Sequence, residues 1–378
     1  MRKFLFILLY PVAQIIRLLQ NKTNLLYPYQ VLLMISWVLR IVRSLNGTDR
    51  SVQVQDTFYT SDNPSGNMKT GFIGHSHHYK TVSSLFFIRL LQQYGTVKVM
   101  WDSQWNGGKF RPVDQINKEE FDILVIWQVM IYHHPAKLKR LKCKNIIIIP
   151  MYDDIHAVPD KFFMGYRDYR FISFCRDLQK RFDGLSIRSK YFRFFIDPSS
   201  LPYHDDSFTE LKGFFWQRTN DITWEQIRKL IEGSSFSGFH LHLALDPIWY
   251  QEVLPSDEEI EKYHITITRW FDKKEDYLSV LSKANVFFTP RLYEGIGMPV
   301  IEAMAMGKLV VSPDHPTMNE YIIHGKNGLL YNEHELKPLD FSHSKSMSVQ
   351  ARTECFTGFE KWQQAGADLS EWIKGSSQ

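Results

Sequence analysis

The stretch 293–311, YEGIGMPVIEAMAMGKLVV, constrains the fold more tightly than any other part of the chain. Just before it, the run 285–290 (NVFFTP) is apolar, rich in aromatics and stopped by proline, as a buried strand of a parallel sheet is. A glycine-bearing loop follows. Pro299 suits the first turn of a helix, where its missing N–H costs nothing, and Val300, Ile301, Ala303, Met304 and Met306 carry that helix to Gly307, which can cap it. Residues 309–311 read as the next strand. A strand, glycine loop, helix, strand unit delivers a helix N-terminus to the carboxyl edge of a parallel sheet, where such sheets bind ligands, and an anion is the expected guest.

Two glutamates frame this anion site: Glu294 in the loop and Glu302 one turn into the helix, in the pattern EGIGMPVIE. A carboxylate is unfavourable beside a phosphate. It accepts paired hydrogen bonds from neighbouring hydroxyls instead. Hydroxyls on both sides of a diphosphate describe a nucleotide sugar. The plain alternative is a generic α/β unit whose glutamates are merely solvated.

With its E-x7-E spacing and the downstream NEYIIHGKNGLLY, the stretch resembles the donor-binding motif of glycosyltransferase family 4, retaining enzymes of the GT-B fold. The resemblance implies that Glu294 contacts the transferred sugar and Glu302 the ribose. It also implies that the loop amides of Gly295, Ile296, Gly297 and Met298 face the diphosphate. It covers the C-terminal half well and the N-terminal half weakly.

A chain of 378 residues is long enough for two domains of ordinary size. Its three cysteines, Cys143, Cys175 and Cys355, are far apart, follow no metal-ligand spacing and cannot all pair, which suits a reducing, cytoplasmic compartment. No metal or other cofactor is implied. The first fifty residues hold seven Arg or Lys and one Asp, so the rest of the chain is close to neutral. That distribution argues against a nucleic-acid partner on the body of the protein and for attraction to an anionic membrane surface. Within 1–48, the apolar runs 4–16 and 31–39 fall short of the ~20 residues a bilayer span needs. Arg2, Lys3, Arg17, Lys22, Arg40 and Arg43 flank them, with Tyr27, Tyr29 and Trp37, which favour a membrane interface. The reading is a pair of helices lying in one leaflet at the inner face, against a signal peptide, a spanning anchor or an ordinary core helix.

Residues 51–68 read as a polar linker or loop. Buried strands at 70–74, 96–101, 122–127, 145–149 and 171–174 alternate with helical patterns, giving a first Rossmann-like domain over 69–197 for the acceptor. The Pro-, Ser- and Asp-rich 195–207 joins it to a second Rossmann-like domain over 208–345, with strands at 213–216, 239–244 and 264–268, which holds the donor. The fold expected is α/β, two such domains facing across a cleft, with 351–374 a last helix that in the family crosses back to the first domain.

Glycosyl transfer requires cations or aimed N–H groups at the departing diphosphate. Arg218, just after the first strand of the second domain, is the candidate; a surface pairing with Asp221 is the alternative. The resembled family places a lysine a few residues later, and here residues 219–223 contain none. Arg269 and Trp270 follow a strand where the family cradles the nucleobase, and an aromatic there can pack on a base, although core packing of Trp270 fits as well. In the first domain, MYDDIHAVP puts Asp153, Asp154 and His156 at the sheet's carboxyl edge, where family members carry His and Asp for acceptor and sugar. A capped turn explains them nearly as well. His75, His77 and His78 suit a cleft lining, a metal or a surface loop.

Two classes of function remain at this stage: a retaining transferase that adds sugar to a glycan or lipid-linked acceptor in polysaccharide or glycolipid assembly, and a GT-B protein without transfer, such as a nucleotide-sugar epimerase or sugar-binding partner. The basic, apolar N-terminus favours the first, since an epimerase of soluble substrates needs no membrane.

Overall fold

The computed structural model describes residues 54–104, 111–245, 251–271 and 273–375. The expected membrane-associating segment 1–48 lies outside them. Among the described residues, no helix is long and apolar enough to cross a membrane.

The chain divides into two compact units. The first holds β1 (Thr57–Tyr59), β2 (Met68–His75), β3 (Gly95–Asp102), β4 (Ile123–Trp127), β5 (Ile146–Ile149), β6 (Arg170–Ser173) and β7 (Ser189–Tyr191), in the sheet order β1-β3-β2-β4-β5-β6-β7. Every pairing is parallel except that of β1 with β3. The four consecutive isoleucines of β5 and all of β4 are buried, as strands covered on both faces must be. β1 corrects the reading of 51–68 as a linker. Its pairing is held by groups distant in sequence: Trp101 donates its indole N–H to the Thr57 hydroxyl at 3.0 Å, and Asp56 beside it meets Lys98 and Arg111.

The second unit holds β8 (Leu211–Gln217), β9 (Phe236–Leu243), β10 (Ile265–Thr268), β11 (Val286–Phe288), β12 (Leu309–Pro313) and β13 (Leu329–Tyr331), all parallel, in the order β10-β9-β8-β11-β12-β13. The chain builds outward from β8 through β9 to β10, then returns to the other side of β8 with β11. The order therefore reverses between β8 and β11, and the carboxyl ends of those two strands border the crevice that such a switch point opens. The segment after β12 adds β13, a third strand in 285–332 where the sequence reading had two.

The helix Ser344–Lys374 is shared: its residues up to Ala365 belong to the second unit and those from Gly366 to the first. Arg170 of β6, 6% exposed, donates to the carbonyls of Trp372 and Ile373 and so satisfies acceptors at that helix's C-terminal end. Trp372 returns its indole N–H to the Phe171 carbonyl at 3.1 Å.

Candidate functional site

At the end of β11 the chain turns through residues 289–297 into the helix Met298–Ala305. Gly297 makes that turn in the left-handed region (φ 76°, ψ 41°), with Pro299 in the first helical turn. At the far end Gly307 (φ 72°) closes a Schellman arrangement: Gly307 N–H donates to Met304 O at 3.0 Å and Lys308 N–H to Ala303 O at 2.9 Å. The helix is thus fixed at both ends by the glycines its sequence offers. Thr317 braces the loop from below, its buried hydroxyl donating to the Glu294 carbonyl at 2.8 Å.

Both glutamates are buried, Glu294 at 6% and Glu302 at 4% exposure. Merely solvated carboxylates are thereby ruled out. A buried carboxylate needs a counter-charge, and Glu302 has one: Lys274 Nζ donates to its Oε1 at 2.5 Å. Lys274 opens the helix Lys274–Ser282, which precedes β11. Nothing in the sequence singled it out, because a lysine in a run of charged residues carries no signal of the glutamate it will meet 28 positions later.

On the β8 side of the switch point the lining is aromatic. The Trp216 ring lies 5.8 Å from Tyr277 and 5.5 Å from His242, and Arg218 sits over it with the guanidinium carbon 5.2 Å from the ring centroid. Trp270 meets the same indole edge-on at 6.3 Å and is 47% exposed, so it is a wall residue and not part of the core. Phe271 stacks on His242 at 4.8 Å. Arg269 forms a two-point ion pair with Glu252, at 3.0 and 2.8 Å. His240 and His242 bond to the hydroxyls of Thr266 and Thr268, and burial pulls both imidazoles down to about 4. The structure therefore brings Glu294, Gly295, Ile296, Gly297, Met298, Glu302, Arg218, Arg269 and Trp270 to the carboxyl side of one sheet.

His156 and Asp154 belong to the first unit, at the short helix Tyr152–Ile155 beyond β5. Asp154 is exposed, while His156 is half-buried with Nδ1 3.1 Å from the Asp153 carbonyl. The histidines at and just beyond the end of β2 gather too, His75 lying 5.6 Å from His78 and 6.3 Å from His77, ring to ring. No group of three or more His, Cys, Asp or Glu among the described residues is arranged to hold a metal ion. One cluster escaped sequence reasoning. Asp102, at the end of β3, meets His133 at 2.9 Å (Oδ2 to Nε2), and Lys137 approaches the other imidazole nitrogen at 3.3 Å. Burial lowers His133 and draws Lys137 down to about 7, against the pull of Asp102.

Two parallel-sheet α/β units define the class, and comparison with solved structures places the fold among GT-B proteins. Sucrose-phosphate synthase from Thermosynechococcus elongatus matches with a TM-score of 0.55 at 12% identity, over 82% of this chain and 100% of that one. Anabaena HepE in complex with UDP-glucose matches with a TM-score of 0.54 at 13% identity, over 81% and 100%. Trehalose-6-phosphate synthase, studied for glycosyltransfer with retention, matches with a TM-score of 0.55 at 10% identity, over 81% and 99%. Residues 255–340 match the family described as glycosyl transferases group 1, and this domain, on this fold, makes the chain a glycosyltransferase. No curated protein sequence matches it.

Proposed function

We propose that the chain moves a sugar from a nucleotide-sugar donor to a glycan or lipid-linked acceptor. The observation that carries this reading is the pair of buried carboxylates, Glu294 and Glu302, on either side of the glycine turn at the switch point of the second sheet. Carboxylates withdrawn from water are strong acceptors for ligand hydroxyls: Glu302 takes the ribose and Glu294 the transferred sugar. The diphosphate lies between them, against the amides of 295–298 and Arg218, whose charge favours its departure. Trp216 and Trp270 offer faces to the base, with Arg269 at the border. His156 and Asp154 serve the acceptor. The UDP-glucose in HepE makes uridine donors the first to try, and the trehalose-6-phosphate synthase supports retention of configuration.

The test is release of nucleoside diphosphate from a panel of UDP- and GDP-sugars without acceptor, since transferases leak donor to water slowly. One sugar nucleotide is expected to be hydrolysed above background, and anomer-resolved NMR of the glycoside product reports the stereochemistry. No release from any donor, together with no binding of UDP or GDP, overturns the reading. The basic, apolar 1–48 supports a membrane-linked acceptor and a peripheral enzyme at the inner face. Full-length chain should then co-sediment with anionic vesicles at low salt, and a chain starting near Asp49 should not; equal behaviour of the two removes that part.

A further inference from the structure

Tyr277 lies one helical turn beyond Lys274, on the face of Lys274–Ser282 that reaches Glu302. Its ring is fixed on three sides: Phe214 at 5.8 Å, Trp216 at 5.8 Å and His242 at 6.2 Å. The hydroxyl at its tip is buried and finds no hydrogen-bond partner among the described residues. A buried hydroxyl left unbonded is costly, and a phenol can be replaced by phenylalanine without loss of shape, so such a group has a use where it persists. Two charges act on it. The carboxylate of Glu302 opposes ionisation of the phenol and Arg218 favours it, while burial, the largest effect, raises it well above its ordinary range. At neutral pH the group is therefore an O–H, a donor one helical turn from the lysine that meets the carboxylate assigned to the ribose and on a ring packed against the Trp216 that carries the guanidinium assigned to the diphosphate.

We propose that Tyr277 is a further donor-binding residue, whose hydroxyl donates a hydrogen bond to an oxygen of the nucleotide's ribose–phosphate segment. The inference rests on the donor site proposed above and adds to it a neutral contact from a helix that no motif marks. The sequence shows a tyrosine in an apolar helical position, which reads as core packing. The ring does pack. Only the direction of its hydroxyl separates the two roles.

The experiment is Tyr277→Phe, measured by titration calorimetry with UDP and with uridine, alongside thermal melting of the unliganded protein. The substitution keeps every ring contact. UDP binding is expected to weaken about threefold to tenfold, the value of one neutral hydrogen bond. The melting temperature of the unliganded variant should equal or exceed the wild type's, because a buried unbonded group has been removed. An equal loss for uridine and UDP assigns the contact to the ribose; a loss confined to UDP assigns it to the phosphate. Unchanged UDP affinity, with wild type and variant both binding, overturns the proposal and leaves the donor site standing. A lower melting temperature gives the hydroxyl a structural role and overturns it too. If wild-type protein binds neither UDP nor GDP, the donor site itself fails and this contact falls with it.

Discussion

Glu302→Ala separates the observed ion pair of one carboxylate from the ribose contact proposed for it. In the protein without ligand, the side chain is 5% exposed and accepts from Lys274. Its removal leaves a small void and an orphaned lysine. Because the Lys274 side chain is 43% exposed, its ammonium can turn into water, so the lost ion pair costs about 1 kcal/mol or less. With the void, the total is on the order of 1–2 kcal/mol, a few degrees of melting temperature. The cost to the ligand is larger. A hydrogen bond to a charged group is worth about 1.5–3 kcal/mol, so the affinity for nucleoside diphosphate should fall roughly ten- to a hundredfold. Glu302→Gln, which keeps the shape and one acceptor, should lose less. Calorimetric titration of the folded variants, with circular dichroism as the control, reads both effects. A folded Glu302→Ala protein that binds every nucleoside diphosphate as tightly as wild type refutes the assignment, and leaves the Lys274 pairing as the carboxylate's whole role.

Glu294→Ala should behave in the opposite way, keeping its affinity for nucleoside diphosphate while turnover falls about a hundredfold, because the role proposed for the group is to meet the sugar in transfer; lost nucleotide binding with normal turnover at saturation would exchange the two glutamates. Gly307→Ala should destabilise by about 1–2 kcal/mol, since the residue is left-handed and a Cβ there would come within 2.7 Å of the Tyr203 ring; a urea midpoint equal to wild type's contradicts the capping argument. His240 and His242, held near 4 by burial against about 6.5 in an unfolded chain, give an acid-sensitive term. The unfolded state takes up protons first, so this stability is whole above pH 6.5 and is lost as pH falls towards 4, on the order of 2 kcal/mol after allowance for solvent screening of the two rings. A His240→Gln/His242→Gln variant that loses stability over that interval as steeply as wild type assigns the slope elsewhere.

What the sequence disclosed, and what it withheld, divides by the range of the forces involved. Gly297, Pro299 and Gly307 announce a loop and a helix because each acts through its own backbone angles, and those survive translation from letters to coordinates. The alternation of apolar runs declares parallel sheets for the same reason. β1 stayed hidden in a polar stretch because its pairing depends on Trp101, Lys98 and Arg111, none of them neighbours. Lys274, and with it the role proposed for Tyr277, was missed because both sit on a helix before β11, and only the switch point in the strand order brings that helix's first turn to Glu302. Asp102 and His133 meet over a gap of 31 residues for a similar reason: β2 lies between β3 and β4 in the sheet, and the pair joins across its end.

The divided helix at 344–374 has a consequence for how the protein is made. Arg170 and Trp372 belong to the same unit, yet the whole of the second sheet is synthesised between them. On a ribosome adding about 5–20 residues per second, that interval lasts on the order of ten to forty seconds. Throughout it, the guanidinium that ends up buried has no helix carbonyls to receive its protons and must stay wet. The first unit, although begun first, is finished last. A nascent chain of this protein therefore carries a first sheet with all its strands but without its last helix for the whole time the second is emerging, and the face that helix will cover is the surface a chaperone meets.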